Sequence, residues 1–362
     1  MNVSKERLNN FSAGPAVLPL SVLEAVRENL FNYQGTGIGI MEMSHRSAPF
    51  EEIIQTAEKD LRELLGMDDS YAVLFTTGGA TNQNSMVPMN LLGKGQTADY
   101  LVTGYWAERA MKEATKFGTI HVAGTSKDRE YSYIPTEIKL SQAPAYVHFT
   151  SNNTIYGTQF SAEPEVGRNV LVCDASSDLL CRWIEIEKYG LVYAGAQKNL
   201  GTAGVTIVMM KRDLLSRTPA NLPVLMDYNT YVKDGSMFNT PPTFSIYVSA
   251  LVFKWIKQEG GLKVIEERNR KKAAILYQAI DSSEFFRGTA EKSSRSLMNI
   301  TFRLPSEELE KRFIKEAESA GFSGLKGHRN VGGMRASIYN AFPAEGVTEL
   351  TQFMKDFERR AG

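Results

Sequence analysis

The sequence predicts an α/β fold, with a large domain whose mostly parallel sheet is flanked by helices and a smaller α+β domain. Short, nearly continuous apolar runs alternate with amphipathic stretches through the first two-thirds of the 362 residues. Such runs are typical of strands buried on both faces of a parallel sheet. After the glycines at 260 and 261 the pattern changes to long charged helices and alternating strands. We therefore predict a large domain at 17–260 and a small domain formed by 1–16 and 261–362.

Six apolar runs are the predicted strands of the large domain. In chain order they cover 71–76, 100–103, 146–149, 170–173, 191–194 and 205–210. Helices are predicted from the glycines at 78 and 79 to position 92 and over 107–117, and a further apolar stretch covers 245–258. In the small domain we predict helices at 262–280, 306–320 and 348–359, and strands at 297–304 and 335–341.

Composition limits the classes of function. Lys and Arg number 41 together, as do Asp and Glu, so no net positive charge attracts nucleic acid. The two cysteines and four scattered histidines form neither a disulfide framework nor a pattern of metal ligands. We see no signal peptide and no apolar run that could span a bilayer. We expect a cytoplasmic protein that binds no metal, no nucleic acid and no membrane.

Lys198 and Asp174 are the candidate catalytic residues. Asp174 ends one apolar run, and Lys198 follows the next run, 24 residues later (198 − 174). Pyridoxal 5'-phosphate needs this pair, because an aspartate keeps its ring nitrogen protonated and a lysine forms the Schiff base with its aldehyde. The spacing therefore predicts a pyridoxal phosphate enzyme, although the pair alone would also fit a surface lysine and an unrelated aspartate.

Two neighbouring features fit the same cofactor. Glycines at 78 and 79 lie between a predicted strand and a helix, where free N–H groups at the helix N-terminus can bind a phosphate. Trp106 follows the strand at 100–103, at the sheet edge where α/β proteins bind ligands, and its ring can stack on a pyridine. Locally, an ordinary turn and a core tryptophan would explain these residues equally well.

Two His-Arg pairs and one further arginine form a cationic set. The pairs are His45-Arg46 and His328-Arg329, and Arg335 follows a glycine loop. Arginine grips carboxylate and phosphate groups in a bidentate manner. The set therefore indicates a substrate with two anionic groups, although the sequence does not show that these residues come together.

Six blocks of the chain resemble the phosphoserine aminotransferase family. In the order of that family, they are 10–19, 43–47, 174–177, 195–199, 239–243 and 327–341. The resemblance spans nearly the whole chain and implies a class V aminotransferase with the type I pyridoxal phosphate fold, which acts as a homodimer. It also implies amino-group transfer between L-glutamate and 3-phosphohydroxypyruvate, and a possible second substrate, 4-phosphohydroxythreonine.

The resemblance implies a role for each matching residue. Lys198 would form the Schiff base, Asp174 would pair with the ring nitrogen, and Trp106 would stack on the ring beside Thr154. The cofactor phosphate would be held by Gly79, Ala80 and Gln197 and, from the second subunit, by Asn239 and Thr240. Some relatives carry Arg in place of Ala80, so only its backbone could contribute. Arg335 would bind the substrate α-carboxylate, and the substrate phosphate would be surrounded by His45, Arg46, His328 and Arg329, some of them from across the dimer interface.

Two other functions stay open at this point. A cysteine desulfurase or lyase of the same fold would need a reactive cysteine beside the cofactor. Alternation along the strand turns Cys173 to the face opposite Asp174, whereas Cys181 is not excluded by its position. A non-catalytic dimeric binding protein is the second alternative, and the Lys198–Asp174 pair argues against it.

Overall fold

The computed structural model describes residues 7–362, which form 14 strands and nine α-helices. The strands are β1 (Asn9–Asn10), β2 (Tyr71–Thr77), β3 (Thr97–Val102), β4 (Thr119–Thr125), β5 (Val147–Thr150), β6 (Asn152–Asn153), β7 (Thr158–Gln159), β8 (Leu171–Asp174), β9 (Leu191–Gly195), β10 (Val205–Lys211), β11 (Arg287–Gly288), β12 (Asn299–Arg303), β13 (Phe322–Ser323) and β14 (Met334–Ser337). The helices are α1 (Leu20–Asn29), α2 (Ala48–Leu65), α3 (Gln83–Leu91), α4 (Tyr105–Ala114), α5 (Tyr228–Lys233), α6 (Thr243–Gln258), α7 (Leu262–Asp281), α8 (Glu307–Ser319) and α9 (Ala344–Ala361).

A seven-stranded sheet forms the centre of the fold, in the order β2-β10-β9-β8-β5-β3-β4. Its strands are parallel except β10, which runs antiparallel to β2 and β9. The predicted mostly parallel sheet is confirmed. Strand β4 was not predicted, and the amphipathic stretches that follow the later apolar runs are not α-helices. In fact β5, β8, β9 and β10 follow one another through loops and short 3-10 turns without an α-helix.

Helices cover both faces of this sheet, as the continuous apolar strands predicted. Helices α1, α2 and α6 pack on one face, and α2 turns buried residues such as Phe50, Ile54 and Leu61 towards it at helical spacing. Helices α3, α4 and α5 cover the other face with residues such as Leu91 and Tyr228. No helix in residues 7–362 is long and apolar enough to cross a membrane.

A second core lies around the C-terminal part of the chain. Strands β11, β12 and β14 form an antiparallel sheet that packs with α7, α8 and α9 around Phe302, Phe313 and Phe357. Phe11 belongs to this core, and β1 pairs with β13. The N-terminal segment thus packs with the C-terminal elements, while the domain bounds at 16 and 260 stay a prediction.

The last strand is shorter than predicted: β14 ends at Ser337, whereas the sequence predicted a strand that continues to position 341. Buried Lys272 of α7 explains the difference. Its ammonium group donates hydrogen bonds to the carbonyl oxygens of Ile338, Tyr339 and Phe342, at 3.1, 2.7 and 3.1 Å. These carbonyls point at the lysine instead of pairing in a sheet, so the chain turns towards α9.

Buried side-chain amides connect the two cores. The Asn152 amide donates to Asn299 Oδ1 and to Ser177 Oγ, both at 2.7 Å, and its own oxygen accepts from Ser296. Asn299 in turn donates to Ser337 Oγ on β14 at 2.9 Å. Because buried amides are costly unless they are paired, this cluster fixes β12 and β14 against the large sheet.

We expect Asn152→Ala to lower the free energy of unfolding by about 1–3 kcal/mol, since the change leaves buried partners without a hydrogen bond. Thermal and urea unfolding, followed by circular dichroism, measure the loss. Asn221→Ala is the matched control, because Asn221 is exposed. Equal stability of the two variants would contradict the role of the cluster.

Candidate active site

A cavity of about 310 Å³ lies where several strands of the central sheet end. Asp174 is the last residue of β8, and Lys198 follows the end of β9. Ligands of open α/β sheets bind at this edge. The lining residues are Ala13, Gly14, Gly79, Ala80, Thr81, Asn84, Trp106, Thr154, Ile155, Asp174, Ser176, Gln197, Lys198, His328 and Arg335. Nine of the predicted site residues are among them.

Lys198 and Asp174 face this cavity without touching each other. Among the described residues, they form no ion pair within 4.0 Å. Lys198 Nζ donates to Thr154 Oγ1 at 3.2 Å and lies 5.6 Å from the centre of the Trp106 ring. Asp174 Oδ1 accepts the backbone N–H of Ser176 at 3.0 Å. The two groups are thus separately held, which leaves room for a group between them.

Burial shifts the pKa of each of these two residues in the direction that favours its neutral form. It lowers the pKa of the Lys198 ammonium; the charge of Asp174 opposes this shift, and that of Arg335 adds to it. Burial likewise raises the pKa of the Asp174 carboxyl, although Lys198 and the hydrogen bonds from Ser176 oppose the rise. A less basic lysine is a better nucleophile and proton carrier at neutral pH.

Close backbone packing forms one end of the cavity. The turn that leads into α3 contains peptide N–H groups that have no acceptor within the described residues, those of Gly79, Ala80 and Thr81. A methyl group on Gly195 would lie 2.9 Å from Gln197 Oε1 and 3.4 Å from the Ala80 nitrogen. Glycine at this position lets the two strand ends approach. The free donors suit an anion such as a phosphate.

Aromatic side chains line another wall. The Trp106 ring meets Tyr105 edge-on, with 5.1 Å between the ring centres, and Tyr105 also lies 5.9 Å from the ring of His328. Trp106 Nε1 is buried and has no partner in the described part of the chain. Because an indole N–H usually finds a partner when it is buried, this donor is available to a ligand.

Arg335 and His328 form the cationic end of the cavity. Arg335 Nη1 donates to the carbonyl oxygen of Thr154 at 3.3 Å, whereas its buried Nε has no partner within residues 7–362. Burial lowers the pKa of Arg335. The pKa of His328 is lowered by burial and then by the charges of Arg335 and Arg329. An anionic group placed here would relieve the repulsion and pair with the unused donor.

Five predicted site residues do not line the cavity of the single chain: His45, Arg46, Asn239, Thr240 and Arg329. Arg46, Thr240 and Arg329 are exposed. Buried His45 Nε2 has no hydrogen-bond partner in the described structure. Their roles stay predictions that depend on a second subunit.

Some lining residues were not assigned from the sequence: Gly14, Thr81, Asn84, Ile155 and Ser176. Gly14 and Ser176 belong to blocks that carried the family resemblance. Gly14 has a φ of +145°, and a methyl group there would lie 3.2 Å from Lys198 Cγ. Ser176 orients Asp174 through its backbone and accepts the Gly195 N–H at 3.2 Å. Asn84 and Thr81 enter the site only through the fold of the turn before α3.

Neither cysteine lines the cavity. Cys173 and Cys181 are both buried, and burial raises the pKa of each thiol. A desulfurase or lyase needs an accessible thiolate beside its cofactor. That alternative is therefore wrong for this chain.

The residues fit pyridoxal phosphate. Separated lysine and aspartate groups match its aldehyde and its ring nitrogen, the Trp106 ring offers a flat surface, and the N–H groups around Ala80 can receive its phosphate. The unused Trp106 Nε1 and the free peptide donors are groups that such a ligand would engage.

Comparison with known proteins gives the family. A family model described as aminotransferase class-V matches residues 8–350. The phosphoserine aminotransferase of Desulfatibacillum aliphaticivorans is 52% identical over 99% of this chain and 100% of that protein. The solved phosphoserine aminotransferase from Bacillus circulans subsp. alkalophilus has a TM-score of 0.97 and 52% identity, and the match covers 99% of this chain and 100% of that one. A structure recording radiation damage of the Schiff base in phosphoserine aminotransferase has a TM-score of 0.96 and 47% identity, covering 98% and 99%.

These matches agree with a cavity that brings together Lys198, Asp174, free peptide donors and a cationic end. A non-catalytic binding protein would not require them. The chain belongs to the class V aminotransferases, which are pyridoxal phosphate-dependent transaminases, and within them to the phosphoserine aminotransferase family.

Proposed function

We propose that this chain catalyses the phosphoserine aminotransferase reaction with the residues that line its cavity and with residues supplied by a second copy. That reaction is the reversible transfer of an amino group between L-glutamate and 3-phosphohydroxypyruvate, which gives O-phospho-L-serine and 2-oxoglutarate, a step of serine biosynthesis. 4-Phosphohydroxythreonine carries the same α-carboxylate and phosphate groups, and we include it as a second substrate.

Lys198 and Asp174 carry out the proton chemistry in this proposal. Bound pyridoxal phosphate supplies a conjugated ring that accepts the electron pair of the substrate Cα–H bond. Lys198 Nζ attaches the cofactor and moves the proton to and from Cα, which a lysine of lowered pKa does well near neutral pH. Asp174 keeps the ring nitrogen protonated, and the Ser176 backbone N–H holds its carboxylate in place. Trp106 and Thr154, which line the cavity, would hold the ring.

The observation that carries the proposal is the unused Arg335 donor beside the lysine. Arg335 Nη1 and Lys198 Nζ both donate a hydrogen bond to Thr154, so the guanidinium and the ammonium lie beside the same residue of the cavity. We assign the α-carboxylate to Arg335. His328 lies in the same cavity and, with Arg329, is assigned to the substrate phosphate.

The remaining groups come from a partner copy. Asn239 and Thr240 are proposed to reach the cofactor phosphate of the partner subunit, and the His45-Arg46 pair to complete the substrate phosphate site across the interface. Exposed Arg46 and Thr240, and the unpartnered His45 Nε2 within the described chain, support this assignment. We therefore propose a cytoplasmic homodimer with shared sites.

Specificity is tested with phosphoserine, glutamate and alanine as amino donors. A charge-assisted contact to a substrate oxygen is worth roughly 1.5–3 kcal/mol, or about 10- to 100-fold in affinity. We expect Arg46→Ala to raise KM for phosphoserine by that factor and to affect glutamate as well, but not alanine. Arg335→Ala should weaken all three donors, since each has an α-carboxylate. Steady-state assays coupled to keto-acid reduction measure these constants.

Arg312→Ala is the control for loss of an exposed arginine, because Arg312 lies on α8 and pairs with Glu316. If Arg46→Ala kept the wild-type preference for phosphoserine over alanine, the phosphate site would lie elsewhere. A wild-type enzyme with no preference for phosphorylated substrates would overturn the proposed reaction itself.

Asp174→Asn should bind the cofactor yet turn over slowly. An opposite charge nearby shifts a pKa by roughly 1–3 units, so we expect turnover to fall by about 10- to 1,000-fold when the ring nitrogen loses this partner. Cofactor absorbance after dialysis and single-turnover rates separate the two effects. Asp99→Asn is the control, since Asp99 is a buried carboxylate that accepts hydrogen bonds from Ser141 and does not line the cavity. Wild-type turnover in Asp174→Asn would refute the assignment.

Shared sites predict complementation between two inactive variants. A mixed dimer contains one Lys198→Ala chain and one Thr240→Asp chain. One of its active sites then carries both substitutions and the other carries neither, so about half of the wild-type activity should return. Co-expression with two affinity tags isolates these dimers. Inactive mixed dimers, or an active monomer in light scattering, would rule out the proposed arrangement.

A further inference from the structure

We propose that Arg303 is a positioning residue for the phosphate end of the substrate, acting through the backbone of the segment 326–333. We name this segment the glycine loop. The inference rests on the proposed function, since it concerns how His328 and Arg329 are held. Arg303 ends β12 and does not line the active-site cavity, so it acts through the loop rather than on the substrate.

The glycine loop is a narrow turn with a closed base. The backbones of Lys326 and Met334 form an isolated antiparallel β-bridge, and the Gly327 N–H donates to the Gly333 carbonyl at 2.8 Å. At the tip, the His328 carbonyl accepts the N–H groups of both Val331 and Gly332, at 2.9 and 2.8 Å. The position of His328 is therefore coupled to the backbone of Val331 and Gly332.

Arg303 fastens this backbone from outside the cavity. Its Nη1 donates to the Val331 carbonyl oxygen at 2.7 Å, and its Nε donates to Glu310 Oε1, also at 2.7 Å. Glu310 is buried on α8, where it also accepts the Leu304 N–H at 3.4 Å. A guanidinium that is held by a buried carboxylate has a fixed direction. The loop tip is thus tied to α8 through one arginine.

The glycines of the loop allow the arginine to come this close. Gly333 has a φ of +66°, and a methyl group there would lie 2.5 Å from Arg303 Cδ and 2.9 Å from the Phe302 carbonyl oxygen. Gly332 has a φ of +74°, and its methyl group would lie 3.3 Å from Arg303 Nη1. Both positions need glycine for the backbone angle and for the space that the arginine fills. The two glycines therefore allow the Arg303 side chain to pack directly against the backbone of the glycine loop.

This arrangement has a specific consequence for catalysis. Loss of the Arg303 bond frees Val331, and with it the carbonyl of His328, whereas Lys198 and Asp174 belong to the other domain and keep their places. Recognition of the distal anion should suffer, and the chemistry at Cα should not. A purely structural arginine would lower all activities together.

The test compares Arg303→Met with the control Arg312→Met in the cofactor-loaded enzyme. We expect Arg303→Met to raise KM for phosphoserine and for glutamate by about 10-fold, with kcat and the alanine reaction changed less than about twofold. Arg312 donates to Glu316 on the same helix as Glu310 but is exposed, so its variant should match the wild type. Arg303→Lys should restore part of the affinity, because it keeps a cation near the Val331 carbonyl.

Glu310→Gln is a milder second variant, since the amide oxygen can still accept from Arg303. It should shift KM in the same direction by a smaller factor, and circular dichroism shows whether each variant folds. Unchanged KM for phosphoserine in folded Arg303→Met, or an equal loss with alanine, overturns the inference. A wild-type enzyme without preference for phosphoserine would instead overturn the proposed function, which keeps the two failures distinct.

Discussion

The site depends on the buried amide cluster centred on Asn152 and Asn299. These two side chains join β6 to β12, and Asn299 continues the chain of hydrogen bonds to Ser337 on β14. Arg335 lies on the same strand as Ser337, and Thr154 directly follows β6. The cluster therefore holds the strand that carries Arg335 against the segment that carries Thr154. Apolar side chains could still pack after a small shift of these strands, whereas the hydrogen bonds between buried amides form in only one relative position of the strands.

The charges of the cavity are unbalanced, and this imbalance is what makes it a receptor for anions. Among its lining residues, Asp174 is the one acid, while Lys198, His328 and Arg335 are bases. The charge of Arg335 lowers the pKa of both Lys198 and His328. A bound carboxylate or phosphate removes this repulsion, so binding of an anion favours the protonated His328. The lysine must be neutral to act; burial and the charge of Arg335 lower its pKa and so favour that form, whereas the charge of Asp174 opposes the shift.

Much of the central sheet could be predicted because its strands are buried on both faces and therefore apolar throughout. β4 was missed because all but one of its residues are exposed or only partly buried and because it includes His121 and Gly124, so it has no continuous apolar run. The antiparallel direction of β10 leaves no trace in composition, since a buried strand looks alike in either direction. The spacing of Asp174 and Lys198, together with the neighbouring glycines and Trp106, pointed to two residues that do line one cavity. The sequence did not indicate Arg303, because only the tertiary fold brings it to the glycine loop.

The residues assigned to the two ends of the substrate lie on two different kinds of structure. The groups assigned to Cα, Asp174 and Lys198, stand at or just after the ends of β8 and β9, two strands that are buried throughout. Those assigned to the distal anion stand on the glycine loop, whose tip is exposed at Arg329 and Asn330 and is fixed by few bonds. Glutamate and phosphoserine are alike at Cα but differ in the length and shape of their distal groups. A rigid centre paired with a separately anchored loop lets one site accept both without disturbing the proton transfer at Lys198.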